Sequence, residues 1–142
     1  MNWFAKKTVV VPVDFSDQSF AAAEIALDAV DNSRGLHVIH VLPVLSPNDP
    51  LVGWDGPNDQ KRREAVEAVL HQRLNNAKFR DAQVAVAFGD PGLEIASYAQ
   101  RVQAELIVLP SHGRTGLKRL LIGSVAERVC RLAHCPVLVI RS

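Results

Sequence analysis

Five short runs rich in Val, Ile and Leu recur along the chain, and stretches with helical spacing of apolar residues separate them. Several of the runs are nearly continuous in apolar residues, which is typical of strands covered on both faces. Strands that alternate with helices at this spacing imply right-handed crossovers and a parallel sheet. We therefore predict a doubly wound α/β fold with helices on both faces of the sheet. The predicted strands are residues 8–13, 36–42, 83–88, 105–109 and 136–140.

Helix signals lie between these runs. Ser16 or Asp17 can cap a first helix, Asn58 can cap a second, Pro91 suits the first turn of a third, and Ser124 can cap a fourth. Apolar spacing then predicts the inner face of each helix. The residues expected there are Ala22, Ile25, Ala26 and Ala29 in the first helix, Val66, Leu70, Leu74 and Ala77 in the second, Ile95, Ala99 and Val102 in the third, and Ala126, Val129 and Cys130 in the fourth.

The length and composition predict one domain over residues 1–142, because 48% hydrophobic residues suffice for a core. The irregular stretch at about residues 43–60 is rich in Pro, Gly, Asn and Asp and predicts a long surface loop. Trp54 within it either covers a ligand as a lid or holds the loop against the body. Cys130 and Cys135 are interpreted as small buried hydrophobic residues rather than a redox pair.

The charge balance argues against two classes of partner. Sixteen Lys and Arg against fifteen Asp and Glu leave a net charge of +1, so no overall field attracts nucleic acid or a membrane surface. No stretch approaches the roughly 18 apolar residues of a membrane helix, and the first apolar run is too short for a signal peptide. We therefore expect a cytoplasmic protein that binds neither nucleic acid nor membrane.

Catalytic and metal signals are weak in this sequence. It contains no GxxxxGK followed by Ser or Thr, no GxGxxG after the first strand and no GxSxG, which argues against a P-loop NTPase, a dinucleotide-binding fold and a hydrolase elbow. The five histidines are scattered and indicate no metal site. No nucleophile with a base beside it can be named, so no catalytic residue is assigned and the protein is expected to have at most weak enzymatic activity.

Two strand ends carry the residues that point to a ligand. In an open α/β sheet, ligands bind beyond the carboxyl ends of the strands, where the strand order reverses. Asp14 follows the first strand, and a glycine-rich segment at residues 109–129 begins at the end of the fourth. Within it, Gly123 and Ser124 open the fourth helix, where unsatisfied backbone N–H groups and the positive end of a dipole form an anion site.

The segment before that helix contributes a glycine and positive charge. Gly113 allows a backbone conformation closed to other residues, and Arg114, Lys118 and Arg119 can contribute charge from the rim. Several candidate site residues also have a purely structural interpretation. Ser124 can be a plain N-cap, and the three basic residues can form a solvated face. Asp14 can start a turn, and His112 can be an ordinary loop residue.

Four stretches of the sequence carry a family resemblance. They are "VVPVDFS" at residues 10–16, "GDP" at 89–91, "SHGRTGLKRLLIGSVAERV" at 111–129 and "CPVLVIR" at 135–141. Together they resemble the universal stress protein family over essentially the whole chain. The family's nucleotide-binding members carry G-x2-G-x9-G-S/T, and this chain matches it at Gly113, Gly123 and Ser124, with Pro110 at the first glycine position.

The resemblance implies a five-stranded parallel sheet ordered 3-2-1-4-5 and an adenine-nucleotide site. It implies that Asp14 and the backbone of Val41 contact the adenine near Pro12, and that Gly113 and the start of the fourth helix hold the phosphates. A charge-assisted contact from Asp14 to the exocyclic amine is worth about 1.5–3 kcal/mol. The nucleotide-binding residues assigned on this basis are Pro12, Val13, Asp14, Val41, Pro110, His112, Gly113, Arg114, Gly123, Ser124 and Val125.

Three functions are carried forward from the sequence. The leading one is a stress-response regulator that binds ATP or AMP with little turnover, with Mg or Mn carried by the phosphates. The second is a nucleotide-free dimeric interaction module, which Pro110 favours because it lacks an N–H and its ring occupies space beside the expected ribose. The third is a slow ATPase or phosphotransferase. A homodimer is predicted through the apolar edge strand from Pro136 to Ile140, as in relatives.

Overall fold

Five parallel strands form the centre of the fold in the computed structural model, which describes residues 5–50, 58–112 and 122–141. The strands lie in the order β3-β2-β1-β4-β5, so the chain reverses its direction of sheet growth between β1 and β4. Their bounds are β1 Val9–Pro12, β2 Leu36–Leu42, β3 Gln83–Phe88, β4 Leu106–Pro110 and β5 Val137–Ile140. The predicted fold class and strand order are confirmed, and the strand bounds differ from the predicted ones by at most one residue at either end.

Four helices cover the two faces of this sheet. They are α1 Asp17–Ala29, α2 Asp59–Arg73, α3 Pro91–Arg101 and α4 Ser124–Leu132, with short 3-10 turns at Ser33–Gly35 and Ala77–Phe79. Alternate residues of β1 point to opposite faces, so Val9 and Val11 join the core under α1 and α2, whereas Val10 joins the core under α3 and α4. All three are fully buried. Burial on both faces explains the continuous apolar runs of the sequence.

Side chains cap the first three helices. Ser16 accepts a hydrogen bond from the amide of Ser19 at the start of α1, and Asn58 accepts one from Lys61 at the start of α2. Asp90 caps α3, with Pro91 in its first turn as predicted. Such caps satisfy helix amides that have no partner within the helix, and each is worth about 1 kcal/mol.

Several predicted details are wrong. Ile25 is 38% exposed, because α1 approaches the sheet through its small residues Ala22, Ala23 and Ala26. Ala77 is exposed because α2 ends before it, and Phe79 in the following turn is buried instead. The two errors have different causes: apolar spacing does not show how closely a helix approaches the sheet, and it does not locate the end of a helix.

The fourth helix and the cysteines also differ from expectation. The N-cap of α4 is Gly123, in an extended conformation, and Ser124 is the first helical residue rather than the cap. Cys130 is exposed and Cys135 is half-buried, so they are not a buried pair. α4 buries Ala126 and Val129, with Val125 half-buried beside them, and Cys130 lies beyond the edge of this stripe. Trp54 and residues 51–57 lie outside the described residues, and the predicted loop ends where α2 begins at Asp59.

Candidate functional site

A cleft opens between the carboxyl ends of β1 and β4, where the strand order reverses. The ladder between these strands pairs Val9 with Leu106 and Val10 with Ile107, although both strands continue to Pro12 and Pro110. Proline has no N–H to donate, so neither Pro12 nor Pro110 can donate a backbone hydrogen bond to the ladder between the two strands. The cleft has a volume of about 260 Å³. This is the position expected for a ligand in a doubly wound fold.

The walls of the cleft contain six of the residues predicted from the sequence. Those six are Pro12, Val13, Asp14, Val41, Pro110 and Val125. Six further residues complete the lining: Ser19, His40, Pro91, Ile95, Leu109 and Ala126. Gly113 and Arg114, like Lys118 and Arg119, lie outside the described residues. His112 is not part of this lining, and its Nδ1 lies 3.2 Å from the hydroxyl of the preceding Ser111.

The Asp14 carboxylate is oriented by the turn that follows β1. Its Oδ1 accepts hydrogen bonds from the amide of Ser16, at 3.0 Å, and from the hydroxyl of Ser16. The Asp14 amide in turn donates to Oγ of Ser19, at 3.3 Å. Between them, Phe15 has φ of 66°, in the left-handed region that non-glycine residues rarely adopt. Such a backbone costs of order 1–3 kcal/mol and persists where surrounding contacts fix it, often beside a binding site.

His40 holds the residue before Asp14. Its Nδ1 lies 2.7 Å from the carbonyl oxygen of Val13, and since a carbonyl only accepts, Nδ1 carries the proton. The imidazole also meets the edge of the Phe15 ring, with 4.8 Å between ring centroids. His40 was not predicted as a site residue. Its polar side chain within the apolar strand "LHVIHVL" was the available signal, but the position of the Val13 carbonyl is set by the tertiary fold.

The first turn of α4 forms another wall of the cleft. Val125 and Ala126 line it, and the N-cap Gly123 has no side chain with which to accept from the helix amides. This distinguishes α4 from α1, α2 and α3, which all carry side-chain caps. The amide of Gly123 itself donates to the carbonyl of Ser111. The amides that follow it are therefore the ones placed to bind an anion.

An ion pair links α3 and α4, the two helices that contribute residues to this side of the cleft. Arg128 of α4 forms an ion pair with Asp90, the N-cap of α3, at 2.8 Å. Gly92 allows this close approach, because a Cβ there would lie 2.7 Å from Cγ of Arg128. Half-exposed ion pairs contribute little to stability, and this one links the middle of α4 to the start of α3.

The cleft joins three kinds of surface. It has apolar walls, a carboxylate that accepts hydrogen bonds at one side and a helix N-terminus that favours negative charge at another. An apolar planar group with an attached amine and an anionic tail matches all three. Among the described residues, no group of three His, Cys, Asp or Glu side chains could hold a metal ion. Within the same part of the chain, every helix is too short or too polar to cross a membrane.

Comparisons with known proteins agree with this architecture. The model of the universal stress protein family matches residues 6–141. A universal stress protein of Methanocaldococcus jannaschii is 35% identical, over 95% of this chain and 82% of its own length. The structure of UspA from Lactobacillus plantarum superposes with a TM-score of 0.70 at 27% identity, covering 96% of this chain and 99% of its own. The crystal structure of a universal stress protein in complex with cAMP gives a TM-score of 0.69 at 25% identity, covering 96% and 97%. The chain therefore belongs to the universal stress protein family.

Proposed function

We propose that this protein binds an adenine nucleotide in the cleft between β1 and β4 and acts as a regulator with little or no turnover. The observation that carries the proposal is that the oriented carboxylate of Asp14 and the first turn of α4 line the same apolar cleft. A universal stress protein of the same fold forms a complex with cAMP, which is itself an adenine nucleotide.

The adenine is assigned to the β1 side of the cleft. Asp14 accepts from the exocyclic amine, and the backbone of Val41 meets the neighbouring ring nitrogen. Pro12, Val13 and Pro110 supply apolar walls for the base and the sugar. Recognition of an amine by a carboxylate favours adenine over bases that carry a carbonyl at that position.

The phosphates are assigned to the N-terminus of α4. Because the Gly123 amide is already bonded to Ser111, we assign the phosphate contacts to the amides of Ser124 and Val125 and to the Ser124 hydroxyl. Gly113, Arg114 and His112 are proposed to border the phosphates from the preceding loop. A Mg or Mn ion would be bound by the phosphate oxygens and water.

Little turnover is expected from the residues that face the cleft. Its histidine, His40, donates to a backbone carbonyl, and the carboxylate of Asp14 is bonded to Ser16. Both groups therefore already have hydrogen-bond partners, and neither of these two described cleft residues is assigned as a general base. A nucleotide that stays bound can instead change the surface that the protein presents to a partner.

A charge substitution at the helix start tests the phosphate assignment. Ser124→Asp places a carboxylate in the first turn of α4, where it suits the helix dipole but repels phosphate. We expect the affinity for ATP to fall at least about tenfold by calorimetry while the affinity for adenosine, which has no phosphate, is kept. Gln60→Asp adds the same charge to the first turn of α2 and is the matched control. Equal ATP isotherms for the wild type and Ser124→Asp would refute the assignment.

The nucleotide-free interaction module is the second candidate. Pro110 in the cleft wall and the engaged amide of Gly123 favour it, since each removes one N–H from the phosphate and sugar region. Heat denaturation of the purified protein, followed by chromatography of the supernatant, separates the two candidates. Released ATP or AMP favours the regulator, and its absence together with flat calorimetric titrations favours the module.

A homodimer through β5 is also proposed. The two edges of the sheet differ: Arg63 donates to the outward carbonyl of Val86 on β3, whereas the four residues of β5 are apolar and half-exposed. Among the described residues, no strand pairs with the outer side of β5, and an apolar edge strand can pair with a second copy across a two-fold axis. Sedimentation should therefore give a dimer at micromolar concentration, and a monomer there would contradict the proposal.

A further inference from the structure

The backbone ladder between β1 and β2 ends at the mouth of the cleft, one hydrogen bond short of the next position in the parallel register. β1 and β2 are parallel, with Pro12 opposite Ile39, and the amide of Val13 donates to the carbonyl of Ile39. In a parallel ladder, the next bond along would run from the amide of Val41 to the carbonyl of Val13. Among the described residues, this bond is not made.

The side chain of His40 donates to the same Val13 carbonyl oxygen that would accept from the Val41 amide in a continued ladder. Its Nδ1–H donates to the Val13 oxygen at 2.7 Å, and the Phe15 ring packs against the imidazole. Val41 lies on the wall of the cleft, and its N–H points to the β1 side of β2 by the alternation of the strand. We infer that His40 is a positioning residue that takes the Val13 carbonyl in place of the Val41 amide and so keeps that amide available to the ligand.

This role rests on the proposed adenine site and explains how its base selectivity would arise. An available Val41 N–H beside the Asp14 carboxylate places a donor next to an acceptor. Adenine presents the complementary pair, a ring nitrogen that accepts and an amine that donates, whereas hypoxanthine presents the reverse. Loss of the His40 donor lets the Val13 carbonyl accept from the Val41 amide. The Val41 N–H is then no longer available as the donor to the base.

Two substitutions at His40 separate donation from ring packing. His40→Phe keeps an aromatic ring but has no donor, and His40→Leu serves the same purpose if the larger ring fails to pack. His40→Asn keeps an N–H close to the position of Nδ1. His37→Phe is the matched control, because His37 lies on the same strand and its Nδ1 also makes a 2.7 Å side-chain hydrogen bond, to the Tyr98 hydroxyl, away from the cleft.

Amide hydrogen exchange of the nucleotide-free protein, followed by NMR, tests the inference without any ligand. Protection of the Val41 amide should rise at least about tenfold in His40→Phe and return to the wild-type value in His40→Asn, with no change in His37→Phe. Unchanged Val41 protection in a folded donor-free variant would overturn the inference.

Ligand titration then separates this inference from the proposed function. We expect His40→Phe to lose at least about tenfold in AMP affinity and to lose its preference for AMP over inosine monophosphate, and His40→Asn to retain both. A wild type that binds neither nucleotide would refute the proposed function, and the exchange data would still decide the role of His40. Wild-type nucleotide affinity and preference in His40→Phe would overturn that role directly.

Discussion

Replacing Asp14 by Asn should change which base the cleft prefers. The substitution keeps the side-chain shape and one oxygen, so the contacts with the amide and hydroxyl of Ser16 can persist and the turn before α1 is preserved. It removes the charge and replaces one acceptor oxygen by an NH2 donor, which opposes the adenine amine.

The size of the effect follows from the contact that is lost. A hydrogen bond to a charged group in a half-buried site is worth about 1.5–3 kcal/mol, which corresponds to roughly 10–150-fold in affinity. We therefore expect Asp14→Asn to weaken ATP binding by at least about tenfold. Inosine triphosphate, whose base accepts at the same position, should lose much less or gain, so the ratio of the two affinities falls.

Calorimetry with both nucleotides measures this ratio, and urea unfolding of the same variant checks that the fold is kept. Asp17→Asn is the matched control, because Asp17 is an exposed carboxylate three residues further along in the first turn of α1. The substitution removes the same charge from a nearby residue that does not line the cleft. An equal drop in ATP affinity in both variants would assign the effect to long-range charge and refute the direct contact.

Three further predictions concern stability and reactivity. Burial lowers the pKa of His37 below its ordinary value of 6.5, so the unfolded chain binds a proton before the folded chain does and stability is lost as the pH falls below about 6.5. Urea midpoints at about pH 7.5 and 5.5 should show this loss, and His37→Asn should reduce it; equal losses in both proteins would contradict the assignment. Gly35→Ala would place a Cβ 1.8 Å from the carbonyl oxygen of Lys7. We therefore expect it to lower the free energy of unfolding by about 1–3 kcal/mol or more. A loss below about 0.5 kcal/mol would be inconsistent with this packing. Burial raises the pKa of the Cys135 thiol above its ordinary value, whereas Cys130 is exposed. A thiol reagent at neutral pH should therefore react with Cys130 in a fast phase and with Cys135 in a slow phase. Cys130→Ser should abolish the fast phase, and survival of that phase would show that Cys135 reacts first.

Much of the fold could be predicted because its signals are local. Continuous apolar runs identify strands that are covered on both faces, and the bounds of β2 and β3 agree with the predicted ranges. The strand order required more information, since periodicity says nothing about which strands are neighbours; the family resemblance supplied it. Ser16 and Asn58 were recognisable as caps because a cap depends on side chains within three residues of it.

The details that could not be predicted depend on distant parts of the chain. Ile25 is exposed because the alanines beside it let α1 approach the sheet closely, and spacing alone does not reveal the depth of that contact. Gly123 and Ser124 are both acceptable N-caps, and the choice between them depends on how Ser111 approaches the helix start. The polar side chain of His40 stands out within β2, but its contact with the Val13 carbonyl depends on how β1 and β2 lie side by side.

Amide shifts on nucleotide titration provide the most direct measurement of where the base and the phosphates lie. In two-dimensional NMR spectra, AMP should shift the amides of Asp14 and Val41 together with those of Ser124 and Val125, and adenosine should shift only the first pair. If saturating AMP moves none of these four amides, or moves only residues remote from the β1–β4 cleft, the protein does not bind an adenine nucleotide in the proposed site.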